Sequence, residues 1–266
     1  MSAPSAGAIG LMYRHRRLLM ATLLQDMRQR HAGTTIGLLW VVLYPSALIT
    51  LYTVVYLYVF RIQPPGVEAP VYVLRIVSGL VLVIGFSEAL NAGTGSLVAN
   101  RNLLLNAVFP SELIPLRAVL SAQATPVVGL ALCIGVSIAL GVGSWSLVLV
   151  PVFWLLAVVF VMGLAWTLSL ANLVVRDVQQ ALALVTMALL IASPIAYTPD
   201  MAPGALKVLV YLNPVSYFVL SLQELCVGPR LPSAGIMAAS VILAAVSSSA
   251  GFLLFRRAKR FVLDNV

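Results

Sequence analysis

Six stretches of this chain are apolar for long enough, about 20 residues, to cross the hydrocarbon core of a bilayer, and this limits the fold before any motif is considered. They run over 36–60, 72–93, 113–140, 147–173, 181–197 and 235–255. Composition agrees: 61% of the residues are hydrophobic and only 9% charged, where a soluble domain carries about 25% charged residues. So few charges cannot cover a water-facing surface, whereas a lipid-facing surface needs none. The expected fold is all-α, one polytopic membrane domain over 1–266 with six transmembrane helices and no room for a soluble catalytic domain.

The formal charge of +8 is informative through its distribution. Twelve of the sixteen Lys and Arg, namely Arg14, Arg16, Arg17, Arg28, Arg30, Arg101, Arg117, Arg176, Arg256, Arg257, Lys259 and Arg260, fall in segments that a six-span path puts on one side. That is the positive-inside pattern, so both termini are expected in the cytoplasm. The segment 1–33 is expected to hold an amphipathic interfacial helix from Ile9 to Met27. At 100° per residue Ile9, Met12, Tyr13, Met20, Leu23, Leu24 and Met27 share a stripe, and Arg14, Gln25, Arg28 and Gln29 lie opposite. The run that follows exceeds the core of a signal peptide, so a retained first span is expected. Cys133 and Cys226 are the only cysteines, too few for a disulfide framework.

Pro45 is expected to bend or break span one. Residues 61–71, with Pro64, Pro65, Gly66 and Pro70, read as an outer turn, 96–110 as a mostly helical cytoplasmic connector, 141–144 as a tight turn and 174–180 as a second cytoplasmic loop. The segment 198–233 mixes apolar runs with Pro and Gly and contains no clean span. Two short helices, about 205–212 and 215–225, are expected there as a re-entrant or interfacial hairpin on the outer side.

Chemistry is sparse. His15 and His31 lie too far apart for a helical metal pair, with no Cys or acidic cluster beside them, so no metal site and no catalytic residues are expected. The motifs GxSxG and HExxH do not occur, which disfavours a membrane transferase. GxxxxGK[ST] does not occur either, so ATP hydrolysis, with its ATP and Mg, belongs to another subunit if ATP drives the system. Ion coupling would need ionisable groups at mid-membrane depth. Here Arg75 and Glu88 sit about 20 Å apart along span two by helical rise, and Glu88 is expected to pair with Arg117 or to line a cavity. Tyr52, Tyr56 and Thr53 on span one, with Ser87, Glu88 and Asn91 on span two, form the expected substrate path, because tyrosine faces one turn apart can stack on sugar rings. A chain without a phosphate-binding loop must receive mechanical work through its cytoplasmic surface. Asn100, Arg101 and Asn102 give the connector a polar edge, Leu104 and Leu105 an apolar one suited to a groove, and Arg176 and Asp177 form a second contact.

Several landmarks in shared order resemble the permeases of ABC transporters that export O-antigen, capsule and teichoic-acid polymers. Arg30-His31-Ala32-Gly33-Thr34-Thr35-Ile36-Gly37-Leu38-Leu39-Trp40, then Leu43-Tyr44-Pro45, is similar to that family's signature at the head of span one. Phe109-Pro110-Ser111-Glu112-Leu113 resembles the segment after its coupling helix, Arg176-Asp177 its second cytoplasmic loop, and Ser193-Pro194-Ile195-Ala196-Tyr197 with Leu212-Asn213-Pro214 its outer hairpin. The resemblance covers nearly the whole chain. It implies an inner-membrane homodimer with two copies of a separate ATPase and a channel between protomers that takes a lipid-linked glycan. A drug or lipid exporter of related fold is the alternative. The tail from Phe255 to Asp264 looks more like O-antigen permeases, while Tyr44-Pro45-Ser46 stands where capsule permeases often have Glu-Pro-Ser.

Overall fold

The computed structural model describes residues 8–30, 37–55, 58, 67–101, 110–197, 204–228 and 231–263, and all regular structure among them is helical. Helices α1 (Ala8–Arg14) and α2 (Arg16–Arg30) precede a 3-10 turn (Gly37–Leu39) and α3 (Trp40–Val54). Then come α4 (Ala69–Ala99), α5 (Leu113–Ala122), α6 (Ala124–Ala139), a second 3-10 turn (Trp145–Leu149) and α7 (Val150–Val174). The chain ends with α8 (Asp177–Ala192), α9 (Gly204–Leu212), α10 (Pro214–Val227) and α11 (Ala234–Leu263). Among the described residues four spans are long and apolar enough to cross a membrane: Ala69–Ala99, Leu113–Ala139, Trp145–Val174 and Ala234–Lys259. Trp40–Val54, Asp177–Ala192 and Pro214–Val227 are apolar but shorter. The protein is a polytopic, all-helical membrane protein.

Helix α4 is the hub, touching α5, α6, α7, α8 and α10. Its glycines set the distances. A Cβ on Gly85 would run into Pro126 and Trp154, and one on Gly93 into Ala165 and Val119. Phe86, Phe160 and Phe218 stack in a column, with centroids 5.8 and 5.3 Å apart, that ties α4 to α7 and α10. The most extensive pairing, α7 with α11, is a small-residue seam. Gly163 lies against the Ser247 backbone, Gly251 lies against the Gly163 carbonyl, and Ser247 Oγ donates to Phe160 O at 2.9 Å. Close backbone approach of this kind is how helices associate where lipid provides no hydrophobic drive.

Proline chemistry explains most departures from expectation. Span three bends where Pro126, without an N–H, releases the Ala122 carbonyl, and the Gln123 N–H bonds Leu120 O instead, dividing α5 from α6. Span five stops at Ala192, short of 197, because Pro194 forces Ser193 into an extended conformation (φ −77°, ψ 142°). Pro45 does not break α3; the helix runs through it with the ring buried beside Gly129. Span two extends to Ala99, so Ser96–Ala99 belongs to α4 and not to the connector: Ser96 Oγ donates to Gly93 O at 2.6 Å and no breaker intervenes. The N-terminal helix is locally broken at His15. Leu19 is buried, Leu11, Met12 and Leu23 pack on the core, and Tyr13, Met20 and Leu24 are exposed, so the expected stripe is shared between two faces. The outer turn at 61–66, most of the connector (102–109) and the segment 31–36, with Gly33, lie outside the described residues.

Helix α10 is held by polar side chains at both ends. At its start Asn213 Oδ1 accepts the Val215 N–H at 2.9 Å, while Nδ2 donates to Ser193 Oγ at 3.0 Å. At its end Ser137 Oγ donates to Cys226 O at 2.6 Å, and the Ser146 hydroxyl reaches Leu225 O and Gly228 O at 3.3 Å. The bend at 193–197 is satisfied just as fully. Ser193 O accepts the Ile195 N–H at 2.8 Å, Gln223 Nε2 donates to Pro194 O at 3.1 Å and Ile195 O at 3.0 Å, and the Tyr72 hydroxyl donates to Ala196 O at 2.5 Å. Gly79 makes this possible, since a Cβ there would lie 2.7 Å from Gln223 Nε2. Replacing Gln223 by Leu strands two buried carbonyls, each costing about 1–3 kcal/mol. Gln223→Leu and Gly79→Val should therefore both lower the thermal midpoint in detergent by several degrees. Gly135→Leu, which meets open space, should leave it unchanged.

Candidate functional site

A group of charged and amide side chains gathers at the end of the bundle where α4 stops and α5 starts. Asn100 caps α4, its N–H and Nδ2 both donating to Ser96 O. Its Oδ1 accepts Arg117 Nη2 at 2.9 Å, and Arg117 Nε lies 2.9 Å from Asp26 Oδ2 of α2. Twelve residues after Asn100, Glu112 is buried and forms an ion pair with Lys259 of α11, while its backbone carbonyl accepts Trp166 Nε1 at 3.0 Å. Helices α2, α4, α5, α7 and α11 thus meet at the two ends of the connector.

Next to it lies an amide layer. Asn172 Nδ2 of α7 donates to Thr94 O at 3.2 Å, and Gln179 Nε2 of α8 donates to Asn91 O at 3.3 Å. Thr94 Oγ1, Asn172 Oδ1 and Gln179 Oε1 are buried here without hydrogen-bond partners. Arg101, Arg176 and Asp177 are exposed at the same end, with Val174 and Val175 exposed beside them. Of the connector residues expected to dock a partner, Asn100 and Arg101 are described; Asn102, Leu104, Leu105 and Phe109 lie outside the described residues.

Of the two places expected for Glu88, a pair with Arg117 or a cavity wall, the structure shows the second, and Arg117 contacts Asp26 and Asn100. The reason is that α2 lies against α5 and brings a carboxylate to the guanidinium. Glu88 instead joins the wall of a crevice between α3, α4 and α6, with Tyr44, Pro45, Thr125, Pro126 and Gly129. Thr53 lines a second crevice of about 180 Å³ with Val73, Val77 and Cys133, its hydroxyl bonded to Ile49 O of its own helix at 2.6 Å. Tyr52 and Ser87 are half-buried, Asn91 Nδ2 donates to Ser87 O at 2.8 Å, and Tyr56 lies outside the described residues. Among the described members of this set, Glu88 and Thr53 line two different crevices. Trp40, Tyr44 and Leu51 share one exposed side of α3, an aromatic edge that the Tyr52 spacing did not single out.

The landmark residues behave differently, because several of them touch. Ser193 bonds Asn213, Pro194 receives Gln223, and Pro214 occupies the first turn of α10. Glu112 holds Lys259, and Pro110 O accepts the Leu113 N–H at 3.0 Å to start α5. Gly37 has φ +57°, a conformation that favours glycine, at the turn before Trp40. Arg30 closes α2. Sequence reasoning missed Asp26, Trp166, Asn172, Gln179, Gln223 and Lys259. A Glu–Lys pair separated by 147 positions has no local pattern to betray it.

Comparison with known proteins accounts for the shared order of these landmarks. The "O-antigen export system permease protein RfbA" of Myxococcus xanthus is 27% identical over 245 residues, covering 90% of this chain and 92% of the relative. Two proteins of the same description from Klebsiella pneumoniae are 26% and 27% identical over 211 and 214 residues, each covering 78% of this chain and 79% of the relative. Residues 17–226 match the family described as ABC-2 type transporter. That match runs from the first turn of α2 to the last turn of α10, and the chain belongs to the ABC-2 type transporter family.

Proposed function

We propose that this chain is the membrane-spanning permease subunit of an ATP-driven exporter that moves a lipid-linked polysaccharide, an O-antigen or related surface glycan, across the inner membrane. The observation that carries the reading is the likeness, along nine tenths of the chain, to a permease described as exporting O-antigen. A separate ATPase subunit provides ATP binding and hydrolysis, since the chain has no phosphate-binding loop. The assembly is a homodimer with two ATPase copies. In support, Glu88 and Thr53 of the candidate path line two different crevices, which suits a channel completed by a second copy.

The topology proposed has six spans, formed by α3, α4, the bent α5–α6, α7, α8 and α11, with both termini cytoplasmic. Helices α9 and α10 form a re-entrant hairpin on the outer side. Helix α10 is about 21 Å long by helical rise, short of the roughly 30 Å core, and its capped ends and buried faces suit a segment that enters and leaves by one side. Single cysteines at positions 101 and 176 in a Cys-free background should resist a membrane-impermeant thiol reagent in intact cells and react after permeabilisation. Labelling from outside at either position would sink this topology.

The glycan path includes Tyr52, Tyr56, Thr53, Ser87, Glu88 and Asn91. Stacking is worth about 0.5–1.5 kcal/mol per aromatic pair, so Tyr52→Ala with Tyr56→Ala should reduce surface glycan only partly and leave complex yield unchanged. Undiminished export by a well-expressed double variant would remove the tyrosines from the path.

Work enters through the connector residues Asn100, Arg101, Asn102, Leu104 and Leu105, with Arg176 and Asp177 as a second contact. The central experiment is purification of the chain with its co-purifying ATPase, together with surface-glycan measurement in cells lacking the chromosomal copy. Wild type should recover both. Leu104→Asp with Leu105→Asp should lose the ATPase or export, because seating two carboxylates in an apolar groove costs several kcal/mol. Full complex and full export in that variant would move coupling elsewhere, and a wild-type chain that binds no ATPase would refute the function itself.

A further inference from the structure

One side chain holds the root of the connector to two other elements. Arg117, in the middle of α5, directs Nη2 to Asn100, where α4 ends and the connector begins, and Nε to Asp26 of α2. Both contacts are 2.9 Å. The side chains of Arg117 and Asp26 are only 13% and 21% exposed, so the charges are partly withdrawn from water and poorly screened by salt. Helix α5 is also the helix of the bundle on which α2 packs.

We infer that Arg117 is a positioning residue that couples movement of the connector to the N-terminal interfacial helix, making α2 travel with α5 when the partner ATPase displaces the connector. The inference rests on the coupling reading above. Nη2 and Nε of one planar guanidinium lie far enough apart to donate to Asn100 and to face Asp26 at ion-pair distance separately, a spacing that the single nitrogen of a lysine lacks. Sliding α2 over α5 would leave two partly desolvated charges unpaired, so the helices move together more readily than apart. The surface that moves has a definite character: α2 and the turn before it expose Tyr13, Met20 and Leu24 beside Arg14, Arg16 and Arg17. An apolar and basic surface of this kind suits the headgroup layer.

The test uses the complete complex with its ATPase in vesicles. Spin labels at Ala21 on α2 and Val174 at the end of α7, both exposed, report the separation with and without ATP, while ATPase rate and surface glycan are measured in parallel. Wild type should show an ATP-dependent change in separation. Asp26→Asn should abolish that change and reduce export about tenfold, the scale of one partly buried charge pair, while hydrolysis continues. Arg117→Lys should behave in the same way despite keeping its charge. Asp26→Arg with Arg117→Asp re-forms the charge pair between α2 and α5 but not the guanidinium contact to Asn100, so it should restore assembly while regaining only part of the shift and the export. An unaltered shift with unaltered export in Asp26→Asn overturns the inference. So does a loss of assembly that the exchanged pair fails to restore, which would make the pair a folding contact only. A wild-type complex that hydrolyses ATP and exports glycan with no change in separation overturns it while leaving the parent reading intact. A wild-type chain that neither binds an ATPase nor exports glycan sinks both.

Discussion

Inside a bilayer no water is available to bond a backbone carbonyl that leaves a helix, so each irregular segment at depth needs donors from its own protein. Such completeness is seen at residues 193–197, where proline ends the apolar helix α8. The carbonyls from Ser193 to Ala196 each find a donor: a backbone N–H, the Gln223 amide or the Tyr72 hydroxyl. Those donors sit on α10 and α4, so satisfying the bend also dictates where α10 lies. With α10 in place, Phe218 completes the stack with Phe160 and Phe86. A local break in one helix thereby organises the packing of three others.

The two ends of the bundle are built on different principles. The end carrying the 193–197 bend is closed largely by hydrogen bonds from Ser, Asn, Gln and Tyr side chains. The opposite end is joined by charges, Arg117 with Asp26 and Glu112 with Lys259, next to an amide layer in which three buried oxygens lack partners. Unsatisfied buried oxygens are costly, and a layer that contains several is the part of a core most easily rearranged.

Much of this was legible from the sequence. The two short helices expected at about 205–212 and 215–225 occur at Gly204–Leu212 and Pro214–Val227, because Asn213-Pro214 supplies an N-cap followed by a first-turn proline. The long apolar runs gave helices of spanning length at α4, α5–α6, α7 and α11. Positions inside the site were harder to read. Glu88 and Arg117 looked like neighbours when span two was laid beside span three, yet the carboxylate that meets Arg117 comes from Asp26, on a helix that periodicity assigned to the interface alone. Lys259 read as one more member of a basic tail, although it partners the buried Glu112. Periodicity describes the faces of one helix; it carries no information about which distant helix supplies a partner.

The bonds that fix α10 also have an order in time. The residues that cap it or clamp it, Ser137, Ser146, Ser193 and the carbonyls of Pro194 and Ile195, together with Gly79 beneath Gln223, all precede it in the chain. A ribosome delivers them first. When α10 emerges, its berth between α4, α6 and α7 is already synthesised, so a helix too short to be held by lipid can be accepted at once by protein. Helix α11 then follows and closes against α7 through Gly163, Ser247 and Gly251. The seam that looks like ordinary helix packing in the finished protein is, during biosynthesis, the step that shuts the short helix in.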